Sequence, residues 1–163
     1  MKLLGYTALF LQDEQDRVLV LKRAAWKKFA PNLYTGIGGQ LLITEYDNIE
    51  EGLRRELEEE TGLKLSEVQE LELRGSILVV NRGDGSIDSV VYYYLGRVRF
   101  EDVIDLSCNE GELEWYAIDA LEGLDFIPTI KKCYRYVFDK TVKKFTSIYD
   151  ESDGSHTLKL TVK

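Results

Sequence analysis

Hydrophobic and polar positions along this chain follow a two-residue period in most segments and a helical period in two. Apolar runs at 2–12 and 17–23 predict two strands, and the polar residues 13–16 between them predict a turn. Residues 48–61 and 127–139 have helical spacing. The other runs predicted to be extended are a glycine-rich piece at 33–39, strands at 71–81, 88–100 and 112–118, and a closing hairpin made of 145–149 and 157–162.

These elements predict one α/β domain that spans residues 1–163 and ends in a hairpin at about 142–163. The sheet is expected to be mixed and to pack against at least two helices. A chain of 163 residues is long enough to bury one sizeable core. The sequence contains no long linker, internal repeat or low-complexity tract.

The charge balance narrows the classes of partner. Lysine and arginine number 21 and aspartate and glutamate 29, which gives a net charge of −8. A field of this sign repels nucleic acid polymers and anionic membranes. A small phosphorylated substrate is still compatible with an acidic site, provided that divalent cations lie between the two.

Cysteine usage and hydropathy predict a cytoplasmic protein. Cys108 and Cys133 match no zinc pattern and make no disulfide framework, so both are expected to be reduced thiols. The apolar run at 3–11 lacks a cleavage site, which favours a strand over a signal peptide. No segment approaches the roughly 20 apolar residues that a membrane span requires.

The first helix carries the candidate chemistry. Glu56, Glu59 and Glu60 are spaced i, i+3 and i+4, so they share one face. At about 100° per residue, they border the apolar arc that contains Leu53 and Leu57, and Glu60 falls inside it. Carboxylates at a core edge need a counter-charge, and their hard oxygens suit Mg²⁺ or Mn²⁺. The competing interpretation is a solvated acidic helix.

The segment from Arg55 to Leu63 resembles the second half of the Nudix box, G-x5-E-x7-R-E-U-x-E-E-x-G-U, in which U is aliphatic. Every specified position matches, from Arg55 and Glu56 to Gly62 and Leu63. The first half departs from the pattern. Gly39 and Glu45 have the expected spacing, but nine residues instead of seven separate Glu45 from Arg55. A two-residue insertion accounts for this.

The insertion leaves two candidates for the acidic position of the first half of the box. Counting forward from Gly39 selects Glu45, whereas counting back from Arg55 selects Asp47. The sequence does not decide between them.

The resemblance implies an α/β/α sandwich and a MutT-like, metal-dependent pyrophosphohydrolase. It implies that Glu56, Glu59 and Glu60 are the metal ligands and that Arg55 orients a neighbouring glutamate. Gly38 and Gly39 would shape the metal and phosphate site. A further acid is often supplied from outside the box, and the candidates here are Glu110 and Glu112. The general base would be Glu56, Glu59 or that loop acid.

The implied reaction is attack of water on one phosphorus of a nucleoside diphosphate linked to another group. A MutT-like resemblance favours nucleoside triphosphates as substrates. Many relatives form homodimers, so the resemblance also implies a possible homodimer. The alternatives are a sensor that binds a nucleotide or ADP-ribose without turnover, an isopentenyl diphosphate isomerase and a plain interaction domain. The intact box glutamates disfavour the sensor, and the single histidine, His156, disfavours the isomerase.

Two further groups of residues are candidates for substrate contacts. Arg23, with Lys27 or Lys28, has the charge to bind phosphate, although ordinary surface charge explains these residues equally well. Trp26, Phe29, Tyr34 and Trp115 are able to stack on a base, although core packing is the preferred interpretation for each of them. Tyr93 is expected to pack on the face of its strand opposite to that of Tyr92 and Tyr94, and His156 is expected on the surface.

Overall fold

A computed structural model describes residues 3–163, which are organised by one nine-stranded sheet. The strands are β1 (Leu4–Gln12), β2 (Val18–Arg23), β3 (Tyr34–Thr35), β4 (Gln69–Asn81), β5 (Ser86–Arg97), β6 (Ser107–Cys108), β7 (Gly111–Tyr116), β8 (Val142–Asp150) and β9 (Ser155–Val162). The helices are α1 (Ile49–Thr61) and α2 (Pro128–Phe138), and short 3-10 turns join several elements.

The strand order is β6-β7-β2-β1-β5-β4-β8-β9, with β3 paired to β2 at the side. The pairs β1–β5 and β4–β8 are parallel, and the other strand pairs are antiparallel. The predicted mixed sheet is therefore confirmed. The parallel pairing of β4 with β8 joins the C-terminal hairpin, β8–β9, to the same sheet.

The two helices lie on opposite faces of the sheet. Leu53 and Leu57 of α1 belong to one hydrophobic cluster, and Ile130 and Val137 of α2 belong to the other. Because side chains of a strand alternate between faces, Tyr93 packs in the α2 cluster while Tyr92 and Tyr94 pack with the α1 cluster. This arrangement is the predicted α/β/α sandwich.

The boundaries of α1 agree with the sequence pattern, but its N-terminus has no side-chain cap among the described residues. Asn48 occupies the cap position, yet its side chain makes no capping hydrogen bond within the described residues. At the other end, Gly62 adopts φ 75° and its N–H donates to the carbonyl of Glu58 at 2.9 Å. A glycine favours this left-handed conformation, which ends the helix.

Several other boundaries differ from the prediction. Strand β5 ends at Arg97, and Phe100 begins a 3-10 turn instead of closing the strand. Within 33–39 only Tyr34 and Thr35 form a strand, and Ile37 makes an isolated bridge to Leu9. The two-residue strand β6 was not predicted, because a segment this short has no detectable period.

A buried arginine ties α2 to the C-terminal hairpin. Arg74 is 2% exposed. Its Nε donates to the carbonyl of Val137 at 2.9 Å, and its Nη2 donates to those of Asp139 and Val142 at 2.9 and 2.7 Å. The guanidinium therefore satisfies carbonyls at the end of α2 and at the start of β8.

Cys108 is half-buried, Cys133 is buried, and both are free thiols. None of the helices in the described part of the chain is long and apolar enough to cross a membrane.

Candidate active site

A glycine turn brings the backbone against the first strand and against α1. Gly38 has φ 151°, and a Cβ there would lie 2.0 Å from the carbonyl oxygen of Thr7. A Cβ on Gly39 would lie 2.7 Å from Oε1 of Glu56. Only glycine fits either position without displacing its neighbour, so the turn can approach the glutamates directly.

The three box glutamates of α1 differ sharply in exposure. Glu60 is 3% exposed, while the side chains of Glu56 and Glu59 are 13% and 59% exposed. The position of Glu60 within the apolar arc is thus confirmed. The face formed by these residues runs from the core edge beside the glycine turn out to solvent.

Glu60 is a buried carboxyl group with an unsatisfied oxygen. Its Oε2 accepts one long hydrogen bond from the N–H of Gly38, at 3.3 Å. Its Oε1 has no hydrogen-bonding partner among residues 3–163. Burial raises the pKa of Glu60 well above its ordinary value, and the charge of Glu56 raises it further. Burial also raises the pKa of Glu56, against the opposing effect of Arg55.

Arg55 holds the exposed side of the cluster together. Its Nη1 lies 2.9 Å from Oε1 of Glu56 and 3.6 Å from Oε1 of Glu59. Its Nε donates to Oε1 of Glu45 at 2.7 Å, and its Nη2 donates to Oε2 of Glu45 at 3.1 Å. The guanidinium fork thereby fixes Glu56 from one side and is itself fixed by Glu45.

This pairing distinguishes the two candidates for the acidic box position. Glu45 is 4% exposed, and the hydrogen bond from Arg55 lowers its pKa. It also accepts the N–H of Leu42 at 2.8 Å. Asp47 is exposed to solvent. The geometry therefore favours Glu45, which places the two inserted residues after it and before Arg55.

The donor set fits a hard divalent cation. Two partly or fully buried carboxylates lie beside a glycine turn, and the buried Oε1 of Glu60 lacks any donor. A cation satisfies such an oxygen and offsets both the burial and the carboxylate repulsion that raise the pKa values of Glu56 and Glu60. Within residues 3–163, no three acidic, thiol or imidazole side chains already converge into a metal cage.

Of the two candidate acids outside the box, only Glu110 faces α1. Its charge raises the pKa of both Glu56 and Glu60, and its Oε2 is paired with the ammonium group of Lys27. Glu112 lies opposite Lys22 on β2. Because Leu113 packs in the α1 cluster, strand alternation directs Glu112 to the other face of the sheet.

A cavity of about 400 Å³ lies at the end of β2, between the loop 24–32 and strands β6 and β7. Arg23 lines it, and its Nε donates to the carbonyl of Phe29 at 3.0 Å. Cys108 lines it too; burial raises the pKa of that thiol, and the charges of Glu60 and Glu110 raise it further. The cavity is lined by Lys22, Arg23, Ala24, Ala25, Asn32, Ser107, Cys108, Gly111 and Glu112. A depression of equal size on the C-terminal hairpin has only Lys159 as a charged lining residue.

The four candidate stacking residues separate into two groups. Tyr34 and Trp115 pack against the hydrophobic clusters, as predicted. Trp26 and Phe29 are 69% and 67% exposed, so the prediction that they pack in the core is wrong. Both residues lie in the loop 24–32, and no local pattern distinguishes a loop aromatic that turns inward from one that stays in solvent. His156 is half-exposed on β9, opposite Tyr149.

Thr7 is a residue of the site that the sequence analysis missed. It is 3% exposed, and its Oγ1 has no hydrogen-bonding partner among residues 3–163. The same hydroxyl lies 3.0 Å from the position of a Cβ on Gly38. The only sequence signal was a polar residue within an apolar strand.

An acidic helix held by an arginine fork against a glycine turn, on one face of a mixed sheet, defines a Nudix-type pyrophosphohydrolase. A sequence model of the NUDIX domain matches residues 1–138, and the chain belongs to this family.

Solved structures agree with this assignment of the fold. The MutT protein of Bacillus halodurans superposes with a TM-score of 0.70 at 23% identity, over 95% of this chain and 97% of that one. The MutT protein of Methanosarcina mazei Go1 gives 0.64 at 18% identity, over 82% and 92%. The NUDIX domain of Shewanella oneidensis NrtR, solved with ADP ribose, gives 0.58 at 17% identity, over 82% and 85%. A search of curated proteins gave no significant match.

Proposed function

We propose that this protein hydrolyses a nucleoside diphosphate linked to another group, with Mg²⁺ or Mn²⁺ held by Glu56, Glu59 and Glu60. The observation that carries the proposal is the unsatisfied, buried Oε1 of Glu60 beside the half-buried Glu56. Leaving a carboxylate in this environment is costly unless a cation or a proton satisfies it.

Each residue of the cluster has a distinct task in this proposal. Glu60 provides the inner ligand, and Gly38 orients it through its N–H. Glu56 and Glu59 provide the outer ligands, Arg55 holds their carboxylates, and either glutamate is a candidate to accept the proton of the attacking water. A bound cation supplies charge neutralisation of the phosphate oxygens and activation of water.

The cavity at the end of β2 is the proposed place for the phosphates and the linked group. Arg23 and Lys22 line it and provide positive charge. Glu110 adds a carboxylate at its border, held by Lys27. The substrate is proposed to be a small phosphorylated molecule, with nucleoside triphosphates as the first candidates.

We also propose that the C-terminal hairpin belongs to the same functional domain. Strand β8 is paired in parallel with β4 over Gly75–Val80, and Arg74 joins its start to α2.

The proposed location of the protein is the cytoplasm, where its two free thiols would stay reduced.

The test is a panel of nucleoside triphosphates, ADP-ribose and other nucleoside diphosphate conjugates, incubated with Mg²⁺ in ¹⁸O-labelled water. Mass spectrometry of the products identifies the substrate, the bond that breaks and the phosphorus attacked. The proposal predicts one ¹⁸O atom in a single phosphate-containing product. Ligand-dependent thermal stabilisation without any product from the whole panel would instead support a sensor.

A further inference from the structure

The loop between β2 and β3, residues 24–32, exposes two large aromatic rings beside the acidic cluster. Among the aromatic side chains of residues 3–163, Trp26 and Phe29 are the most exposed, at 69% and 67%. Rings of this size in solvent are typical of a contact surface and offer no packing advantage to the free protein.

The loop is ordered by its own hydrogen bonds. At its base, the N–H of Arg23 donates to the carbonyl of Leu33 at 2.9 Å, and the N–H of Asn32 donates to the carbonyl of Arg23 at 3.1 Å. Ala30 and Asn32 have φ of 49° and 63°, a region that residues with a Cβ seldom occupy. Such backbone strain persists where surrounding contacts fix the conformation.

Electrostatic contacts connect this loop to the proposed reaction centre. Lys27 is paired with Glu110, and the charge of Glu110 reaches Glu56 and Glu60. The N–H of Ala24 also donates to the carbonyl of Glu110, at 2.8 Å. The loop that carries the two rings is therefore held against Glu110, and its residues Ala24, Ala25 and Asn32 line the cavity.

Each ring also has a cation close to it. The ammonium nitrogen of Lys27 lies 5.2 Å from the centroid of Trp26, and the guanidinium carbon of Arg23 lies 5.6 Å from that of Phe29. One cation per ring leaves most of each ring accessible, as the exposures show. Positive charge and free aromatic surface together suit an anionic ligand that carries a planar ring.

We infer that Trp26 and Phe29 form the binding subsite for the base of the substrate, so that the enzyme prefers diphosphates that carry a nucleobase over diphosphates that lack one. This inference rests on the proposed function. Stacking on an aromatic side chain tolerates different bases, so the subsite selects the class of substrate and leaves the choice among bases to other contacts.

The first test is the double variant Trp26→Ala, Phe29→Ala, assayed with a nucleoside triphosphate and Mg²⁺. Loss of stacking is expected to raise KM by about ten-fold or more with little change in kcat. The inhibition constant of inorganic triphosphate, which has no base, should not change. The variant Trp26→Phe, Phe29→Tyr keeps both rings and should retain a KM near that of the wild type.

Phe100→Ala is the matched control. Phe100 is also an exposed aromatic residue with a cation nearby, since the guanidinium carbon of Arg17 lies 4.4 Å from its centroid. It follows β5 and lies beside Arg17, before the start of β2, whereas Arg23 is at the other end of that strand. Its removal should leave KM unchanged. An unchanged KM in the double variant, or an equal loss of affinity for inorganic triphosphate, overturns the inference. The inference is also overturned if the double variant changes from dimer to monomer and keeps a normal KM, because the rings would then form a subunit contact.

A binding experiment separates failure of this inference from failure of the proposed function. Trp115 packs in the core and Trp26 is exposed, so a nucleoside monophosphate without metal should quench Trp26 fluorescence in the wild type. Trp26→Phe should remove that quenching. Absence of quenching in the wild type contradicts the base subsite, whereas quenching without hydrolysis of any diphosphate contradicts only the proposed function.

Discussion

Two buried charges lie near the C-terminal ends of the two helices, and they differ in how fully the protein satisfies their hydrogen bonds. Arg74 donates to five backbone carbonyls around the C-terminus of α2 and the start of β8. Glu60 lies in the last turn of α1, accepts one long hydrogen bond and keeps one oxygen unsatisfied. The C-terminal end of a helix favours cations and disfavours anions, so Arg74 lies at the favourable pole and Glu60 at the unfavourable one.

This difference indicates which charge serves the fold and which serves the chemistry. A buried ion with every hydrogen bond satisfied by the protein needs no ligand. A buried carboxylate with a free oxygen, next to two further carboxylates, lowers the stability of the free protein until a cation binds. The following variants test this contrast.

The largest effect is expected for Glu59→Gln combined with Glu60→Gln. Loss of two cation ligands should lower kcat/KM by about a thousand-fold, because the phosphate charge is no longer neutralised. The matched control is Glu51→Gln combined with Glu58→Gln, two glutamates of α1 that are paired with Arg54 on the solvent side. Wild-type rates in the Glu59, Glu60 double variant would exclude the mechanism.

Replacement of Arg74 by Met should affect stability, not chemistry. The change leaves buried carbonyls without a donor and should cost roughly 3 kcal/mol, which corresponds to a fall of roughly 10 °C in Tm. Added Mg²⁺ should not alter this difference in thermal melts. Arg82→Met is the control, since Arg82 is 64% exposed and lies 3.8 Å from Asp150. A loss of stability smaller than that of the control would show that Arg74 does not stabilise the contact between α2 and β8.

Glu45→Gln should reduce kcat by about ten-fold to a hundred-fold, as is usual when a residue that orients a ligand is lost. The reason is that Arg55 then loses its buried anionic partner and no longer holds Glu56 in place. Asp47→Asn should behave as the wild type. The reverse ranking in steady-state kinetics would assign the acidic box position to Asp47.

Glu60→Gln alone should stabilise the metal-free protein by about 1 kcal/mol at neutral pH, or roughly 2–4 °C in Tm. The folded pKa of Glu60 is raised, so its penalty is absent below its ordinary value of 4.5 and grows as pH rises through the folded pKa. Melts in EDTA across pH should show this widening gap. A variant that is less stable than the wild type at every pH would contradict the strained state of Glu60.

Periodicity in the sequence predicted the strands, both helices and the face of α1 that carries the glutamates, because burial imposes that periodicity. The place of Glu60 in the apolar arc followed from the same argument. The choice between Glu45 and Asp47 did not, since it depends on how an inserted loop folds over Arg55. The exposure of Trp26 and Phe29 and the buried hydroxyl of Thr7 depend on long-range packing, which one sequence does not encode locally.

The central claim is that Glu56, Glu59 and Glu60 together bind hard divalent cations at a single site. Soaking Mn²⁺ into crystals of the wild-type protein tests this claim directly. The account predicts an anomalous peak within coordination distance of carboxylate oxygens of Glu60 and at least one of the other two glutamates. A Mn²⁺ peak elsewhere on the protein, with the Glu60 carboxyl left in its metal-free contacts, would contradict it.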